Sequence, residues 1–248
     1  MAAGDGENGG VVRSRPRILI NFAVSLDGKI NPAPGHRHGP FVMSRGKEDF
    51  RRMRVLRAQA DAILIGASNL RADDPGLTLA PEDRERRRAA GVPDPARIVV
   101  TTRGDGIHAD AKIFDRSIGG PAYVVHPAVM PAAARAALGG VAQLVEMGTD
   151  VVPVDGLLGW MGDGLGAGTV VCEGGGVLVA DLFAAHAVDE LYLTVVPRIL
   201  GGVAAPTLVA GRGFEPDQIP DAKLASLERV GDELFLRYEF FPSSNPAI

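Results

Sequence analysis

Short, unbroken apolar runs that stop at glycine or at a turn pair recur along this chain and alternate with segments of helical period. The clearest is Ala62 to Gly66, AILIG, which is continuous rather than alternating in polarity, as a strand buried on both faces of a mostly parallel sheet must be. Before it, KEDFRRMRVLRAQA from Lys47 sets Phe50, Met53, Leu56 and Ala60 at spacings of three and four, with acids in the first turn. This predicts an amphipathic helix whose other face is arginine-rich. RILINFAVSL after Pro16 predicts a first, central strand, closed by the turn pair Asp27-Gly28.

The alternation continues with strands at Arg97 to Thr102, Ala122 to His126, Ala142 to Glu146 and Thr169 to Cys172. Helices are expected from Pro131 to Leu138, near Leu157 and from Val177 to His186. A loop is expected through Asp73-Asp74-Pro75, and a surface loop or short helix over Pro81 to Pro95. The end differs: ELYLTVVP, KLASLERV and ELFLRYEFF are strand-like with no strong helix between the last two, which predicts an antiparallel hairpin at a sheet edge. The fold class is therefore α/β, with helices flanking a central, mostly parallel sheet. Residues 1–15, with four glycines among the first ten, have little to bury and read as a disordered tail. Residues 16–242 form one domain and 243–248 a second short tail.

Charge and cysteine usage exclude several functions. A formal charge of −4 and a pI near 5.7 give no footprint for nucleic acid or an anionic membrane. No apolar run approaches the ~20 residues needed to cross a bilayer, and the N-terminus lacks the pattern of a signal peptide. With Cys172 alone there is no intramolecular disulfide or cysteine-based zinc site, which favours the cytoplasm. His36 and His38 form an H-x-H in a proline- and glycine-rich loop without a completing carboxylate–histidine set, so no metal is expected. Cys172 reads as a small buried hydrophobe, and no G-x-S-x-G elbow is present.

Four segments can carry chemistry because each follows a strand end, where open α/β sheets bind ligands. Glu173-Gly174-Gly175-Gly176 offers backbone close approach and a helix N-terminus to a phosphate; a tight turn with a solvated glutamate is the equal alternative. Neither G-x-G-x-x-G nor a Walker lysine is present. Ser25 to Lys29 carries Lys29, one of only four lysines, although a lysine beside a turn is ordinarily a solvated charge. Asn69 to Pro75 holds adjacent carboxylates suited to acid–base work, a metal or a sugar hydroxyl, or simply to a turn. Thr101-Thr102-Arg103-Gly104 has the composition of a phosphate-monoester site.

Taken in order and spacing, SLDGK at 25 to 29, ADAILIGASNLRADDPGLTL at 60 to 79, CEGGGVLVADL at 172 to 182 and VDELYLTVVPRILGG at 188 to 202 resemble the riboflavin-pathway reductase family. This is the dihydrofolate-reductase-like domain that stands alone in archaea and fungi and is fused to a deaminase in many bacteria. The resemblance runs from Pro16 to Phe241 and takes in APTLVAGRGF at 205 to 214. It implies a dihydrofolate-reductase-like fold, a homodimer, and NADPH-dependent reduction of a phosphorylated ribosylaminopyrimidine, diamino or deaminated, to the ribitylamino product.

It further implies that Lys29 and Glu173 are catalytic, orienting the open-chain sugar and assisting proton transfer. Ser44, Arg57, Leu77 and Asp27 fall on the substrate side, with Arg57 a phosphate ligand or else a surface charge. Asn69, where the family usually has threonine, joins Asp73, Thr102, Arg103, Gly174, Gly175, Gly176, Val177 and Leu178 around the cofactor. One departure is Ala80, where fused bacterial members carry a phosphate-binding arginine; Arg57 or an arginine from 84 to 88 would have to compensate. That loss also leaves two alternatives: a reductase of the same fold acting on a pterin, dihydrofolate or secondary metabolite, and a non-catalytic nucleotide-binding protein. The chain has no H-x-E with P-C-x-x-C, so deamination is not expected.

Overall fold

The computed structural model describes residues 15–33 and 43–241; the expected tails, apart from Arg15, and the His36–His38 pair lie outside the described residues. Nine strands form one sheet in the order β5-β4-β3-β2-β6-β1-β7-β9-β8. They are β1 (Arg17–Ser25), β2 (Ala62–Gly66), β3 (Ala96–Val100), β4 (Ala122–His126), β5 (Gln143–Glu146), β6 (Thr169–Cys172), β7 (Val188–Val196), β8 (Ala222–Val230) and β9 (Glu233–Phe240). The pairings from β5 through to β7 are parallel, and β9 joins β7 antiparallel, with β8 on its outer edge. The α/β class, the parallel centre and the terminal edge hairpin all agree with the sequence reading.

The helices are α1 (Glu48–Gln59), α2 (Ala67–Asp73), α3 (Pro81–Ala89), α4 (Ala132–Gly139), α5 (Val154–Gly159) and α6 (Gly176–Ala184). Alternate residues of the parallel strands enter separate cores because successive side chains leave a strand on opposite faces. Ile20 and Leu64 pack with Leu178, Leu182 and Phe183 of α6 and with Leu157 of α5. Ile63 and Ile65 pack with Leu70 of α2 and Leu138 of α4, while Leu19 and Val171 meet Leu56 of α1. Every residue of β2 is buried, as its continuous apolar run requires.

Several local expectations are corrected. The loop expected through Asp73-Asp74-Pro75 starts one residue later, because Asp73 ends the short helix α2, which Asp74 stops in the left-handed region at φ 42°. Over Pro81 to Pro95, where a surface loop or short helix is expected, the short helix forms as α3, with proline in its first turn. β3 stops at Val100, and the hydroxyl of Thr101 instead accepts the Gly104 amide at 3.0 Å. In α1, Leu56 and the following Ala60 are buried, but Phe50 is 58% exposed, so the apolar stripe covers only the C-terminal half. Arg15, assigned to the tail, is held by Asp189 at 2.8 Å. Among the described residues no helix is long and apolar enough to cross a membrane.

The chain leaves β2 toward β3 on one side of the sheet and leaves β6, through α6, toward β7 on the other. The carboxyl ends of β2 and β6 therefore form a topological switch point, where a crevice opens between diverging connections.

Candidate active site

At that crevice the two strand ends are tied backbone to backbone. The Glu173 amide donates to the Leu64 carbonyl at 3.0 Å and the Gly66 amide to the Gly174 carbonyl at 2.8 Å. Three glycines then have no room for side chains. Gly174 has φ +142° and a Cβ there would lie 2.4 Å from Asn69 Nδ2; Gly175 has φ +97°; a Cβ on Gly176 would lie 2.8 Å from the Thr207 carbonyl oxygen. They lead into α6, whose first-turn amides have no preceding helical carbonyl to pair with. A bare backbone cradle at a helix N-terminus fits the pyrophosphate of a nicotinamide dinucleotide. Beside it Val177 is exposed while Leu178 packs into the core.

Glu173 is not solvated. Its two carboxylate oxygens accept from Arg57 Nε and Nη2, each at 2.6 Å, and both side chains are about nine-tenths buried. Arg57 Nη1 also donates to the Thr78 carbonyl at 3.1 Å, just beyond Leu77, which is buried at φ +53°. Burial works against the Arg57 charge, but the Glu173 carboxylate outweighs it and holds the guanidinium above its ordinary pKa. Of the two readings of Arg57, the surface charge is excluded by its burial; as a phosphate ligand it would act through the N–H groups that Glu173 and Thr78 leave unused. Asn69, half-buried in α2, donates from Nδ2 to the Glu173 carbonyl at 2.7 Å and so fixes the backbone from which the carboxylate projects.

Lys29 follows β1, the strand beside β6. Gly28, at φ +75°, makes the turn, its amide donating to the Ser25 carbonyl at 2.9 Å. The Lys29 backbone bridges Thr207, and Nζ donates to the Ala205 carbonyl at 3.3 Å. The Ala210 amide in turn donates to the Gly176 carbonyl at 3.0 Å, so segment 205–210 spans from Lys29 to the glycine cradle. Asp27 serves this loop as an acceptor, from Ser25 Oγ at 2.6 Å and from the Leu200 and Gly201 amides at 3.0 and 2.7 Å. The Ser25 hydroxyl first, then those two amides, depress its pKa to about 2. Its placement is that of a loop brace.

Ser44 is buried and donates to Glu233 Oε2 at 2.9 Å, joining the start of α1 to the β8–β9 hairpin. Asp73 closes α2, and partial burial pushes its carboxyl above the usual range. Its neighbour Asp74 is taken by the Lys112 amide at 3.0 Å. Thr102 and Arg103 are exposed beyond β3, Arg103 lying 3.3 Å from Asp105. Ala80 precedes α3, and the arginines offered as substitutes there are engaged: Arg84 with Asp94, Arg86 with Asp83, Arg88 with Glu85, and buried Arg87 with the Ala58 and Pro93 carbonyls. Burial raises the Cys172 thiol to about 12, which removes it as a nucleophile.

Sequence reasoning missed four polar residues on and beneath the first half of α1. Asp49 was read only as a first-turn acid favouring the helix dipole, Thr194 and Glu233 only as strand residues, and Arg52 only as part of an arginine-rich face. In the fold, Arg52 lies over the rings of Tyr192 and Phe235, at 5.0 and 5.7 Å from their centroids. No local pattern could have shown this, because the contacts join α1 to strands well over a hundred residues later.

Comparison with known proteins places residues 16–236 within the family model described as the RibD C-terminal domain. The chain is 33% identical over 227 residues to the 2,5-diamino-6-ribosylamino-4(3H)-pyrimidinone 5′-phosphate reductase of Methanothermobacter thermautotrophicus, covering 90% of this chain and 98% of that one. It is 30% identical to the protein of the same name from Archaeoglobus fulgidus, covering 88% and 95%. Among solved structures, Acinetobacter baumannii RibD superposes with a TM-score of 0.72 at 21% identity, over 92% of this chain and 58% of RibD. The Saccharomyces riboflavin biosynthesis reductase Rib7 does so at 0.66 and 17% identity, over 92% and 91%.

Proposed function

The chain belongs to the RibD C-terminal domain family, and on that basis we propose that it is an oxidoreductase of riboflavin biosynthesis that reduces 2,5-diamino-6-ribosylamino-4(3H)-pyrimidinone 5′-phosphate to its ribitylamino product with NADPH. The observation that carries this reading is the Arg57–Glu173 pair beside the glycine cradle at the switch point, with Lys29 on the adjacent strand end. A carboxylate and an ammonium flanking a dinucleotide cradle suit an open-chain sugar, whose hydroxyls need both an acceptor and a donor.

The ribosylamine opens to an imine, which takes hydride at C1′ and a proton on nitrogen. NADPH supplies the hydride when bound. Glu173, fixed by Arg57, accepts from a sugar hydroxyl and sets the face of C1′ that meets the nicotinamide. Lys29 Nζ, held near the Ala205 carbonyl, donates toward the sugar and delivers the proton to the imine nitrogen. The amides of Gly176 to Leu178 would hold the pyrophosphate, with Asn69 and Asp73 also on the cofactor side, and Thr102 with Arg103 would take the 2′-phosphate that distinguishes NADPH from NADH.

The catalytic unit is residues 16–242, working in the cytoplasm as a homodimer. Support for self-association comes from β8, an edge strand that exposes Leu224, Leu227 and Val230. The test of function is oxidation of NADPH followed at 340 nm with the diamino and the deaminated ribosylaminopyrimidine phosphates and with dihydrofolate, each offered alone. Turnover with the diamino compound is expected. Turnover with dihydrofolate only, or with none of the three, overturns the proposal.

A further inference from the structure

Beside the Arg57–Glu173 fork, the same helix carries a second cation. Arg54 lies three residues before Arg57 on α1, so the two are neighbours on the helix surface, with about 5–6 Å between their Cβ atoms. Both reach across to the stretch of chain that leads into α3. Arg57 Nη1 donates to the Thr78 carbonyl at 3.1 Å, while Arg54 Nη2 pairs with Glu82 and lies 3.6 Å from Asp83 Oδ2, both in the first turn of α3. Between those contact points the opposing chain carries Leu79, which is buried, and Ala80, whose side chain is a single methyl group. The result is a seam between α1 and residues 78–83, lined by two guanidiniums, with the Glu173 carboxylate at the Arg57 end.

The two guanidiniums differ in how firmly they are held. Arg57 is buried, Glu173 matches its charge, and three of its five N–H groups are taken. Arg54 is 31% exposed and its partner Glu82 is 60% exposed. An ion pair open to solvent in this way holds weakly and exchanges readily. Asp83 is a different case, because it is buried and is also paired with Arg86, so it keeps a partner when Arg54 turns elsewhere. Glu82 is therefore an exposed carboxylate covering a guanidinium that an incoming anion can claim.

We infer that Arg54 is a ligand of the substrate's 5′-phosphate, and that Glu82 occupies its guanidinium until the phosphate displaces it. This rests on the reductase reading above. The phosphate is carried on the same ribose that Glu173 orients, so its ligands must stand beside the fork. A phosphate monoester brings about 1.5–2 negative charges at neutral pH. Arg57 has two N–H groups left to offer but no uncompensated charge, whereas Arg54 supplies both a charge and a planar set of donors. The exchange also sets specificity. A substrate without the phosphate cannot displace Glu82 and gains nothing from Arg54, so Arg54 and Glu82 together select for the phosphorylated compound.

The experiment compares wild type, Arg54→Gln and Glu82→Gln in steady-state reduction of the diaminopyrimidine phosphate and of the same compound after phosphatase treatment, alongside unfolding curves. Wild type is expected to favour the phosphorylated substrate in kcat/KM by at least ~100-fold. Arg54→Gln should cut that ratio at least ~10-fold, through KM, because the phosphate is held alike in ground and transition states. Glu82→Gln should raise the ratio about two- to fivefold, because the competing carboxylate is gone. If the pair only fastens α1 to α3, both variants lose stability and the ratio does not move in opposite directions; that result overturns the inference, as does an unchanged ratio in folded Arg54→Gln. Should Arg54→Gln fail to fold, Glu82→Gln decides alone, and a ratio that stays or falls overturns the inference. Calorimetric titration of ribose 5-phosphate gives the same comparison without turnover. Reduction of neither pyrimidine by wild type defeats the reductase reading, whereas ribose 5-phosphate binding at least ~10-fold weaker in Arg54→Gln than in wild type still supports the phosphate site.

Discussion

Arg57 and Glu173, 116 residues apart, meet in a two-point fork with 2.6 Å at each contact, closed off from water on both sides. Removing one member of such a pair leaves a buried charge uncompensated. Arg57→Ala is expected to cost about 3–5 kcal/mol of stability, read from chemical denaturation, and to lower kcat in whatever protein remains folded. Arg57→Lys keeps the charge but not the planar fork, and should fall between.

Glu173→Gln retains the shape and loses an acceptor. Turnover should drop about 10²- to 10³-fold in kcat, with KM for the cofactor little changed, since in the proposed function the glycine backbone, not the carboxylate, holds the dinucleotide. Full kcat in this variant would remove the carboxylate from the sugar site.

Gly176→Ala should act on the cofactor instead. Its Cβ would stand 2.8 Å from the Thr207 carbonyl oxygen, so either the helix start or segment 205–210 must move. A rise of about tenfold or more in KM for NADPH is expected, since a site displaced by an ångström loses binding and orientation together. Fluorescence titration of NADPH measures the same loss without substrate.

Asp27 predicts a pH effect with a definite sign. Its folded pKa, about 2, is below the 3.8 of an unperturbed aspartate, so its contribution to stability is complete above about pH 4. That contribution fades as pH falls toward 2. The stability gap between wild type and Asp27→Asn should accordingly be constant from pH 7 to 5 and begin to close below pH 4, measured by unfolding at each pH. A gap that widens on acidification contradicts the brace to Leu200 and Gly201.

Elements whose cause is local were legible in the sequence. AILIG read as a two-sided strand because burial on both faces leaves no polar alternation, and Asp27-Gly28 read as a turn because glycine takes the positive φ found there. The glycine run after Cys172 was located correctly, though not what fills the space around it. Phe50 misled because the start of α1 turns Asp49 and Arg52, not Phe50, toward the sheet, so the helical spacing continued on a face left in solvent. Arg57 and Asp49 misled for a related reason: charge on an arginine-rich, acid-led helix ordinarily means water, and only the tertiary fold brings Glu173 and Thr194 beneath them. The Ser44–Glu233 contact, 189 residues long in sequence, has no local signature at all.

The placement of β6 also has a kinetic meaning. This strand fills the slot between β2 and β1, yet it comes more than a hundred residues after β2 begins. A growing chain that has completed β5 holds β2 as an open edge and β1 with neither of its sheet partners, and the two are joined only when residues 169–172 arrive. The loop closed at that moment is long, and its entropy is lost before the new contacts repay it, which makes insertion of β6 the slow step of folding. Because Glu173 is the next residue, the protein gains its sheet and its candidate catalytic carboxylate in one event. Ribosome-bound chains truncated before residue 169 should expose an unpaired β1 and the open edge of β2 to chaperones, and chains extended past Val196, in which β6 and β7 both pair with β1, should not.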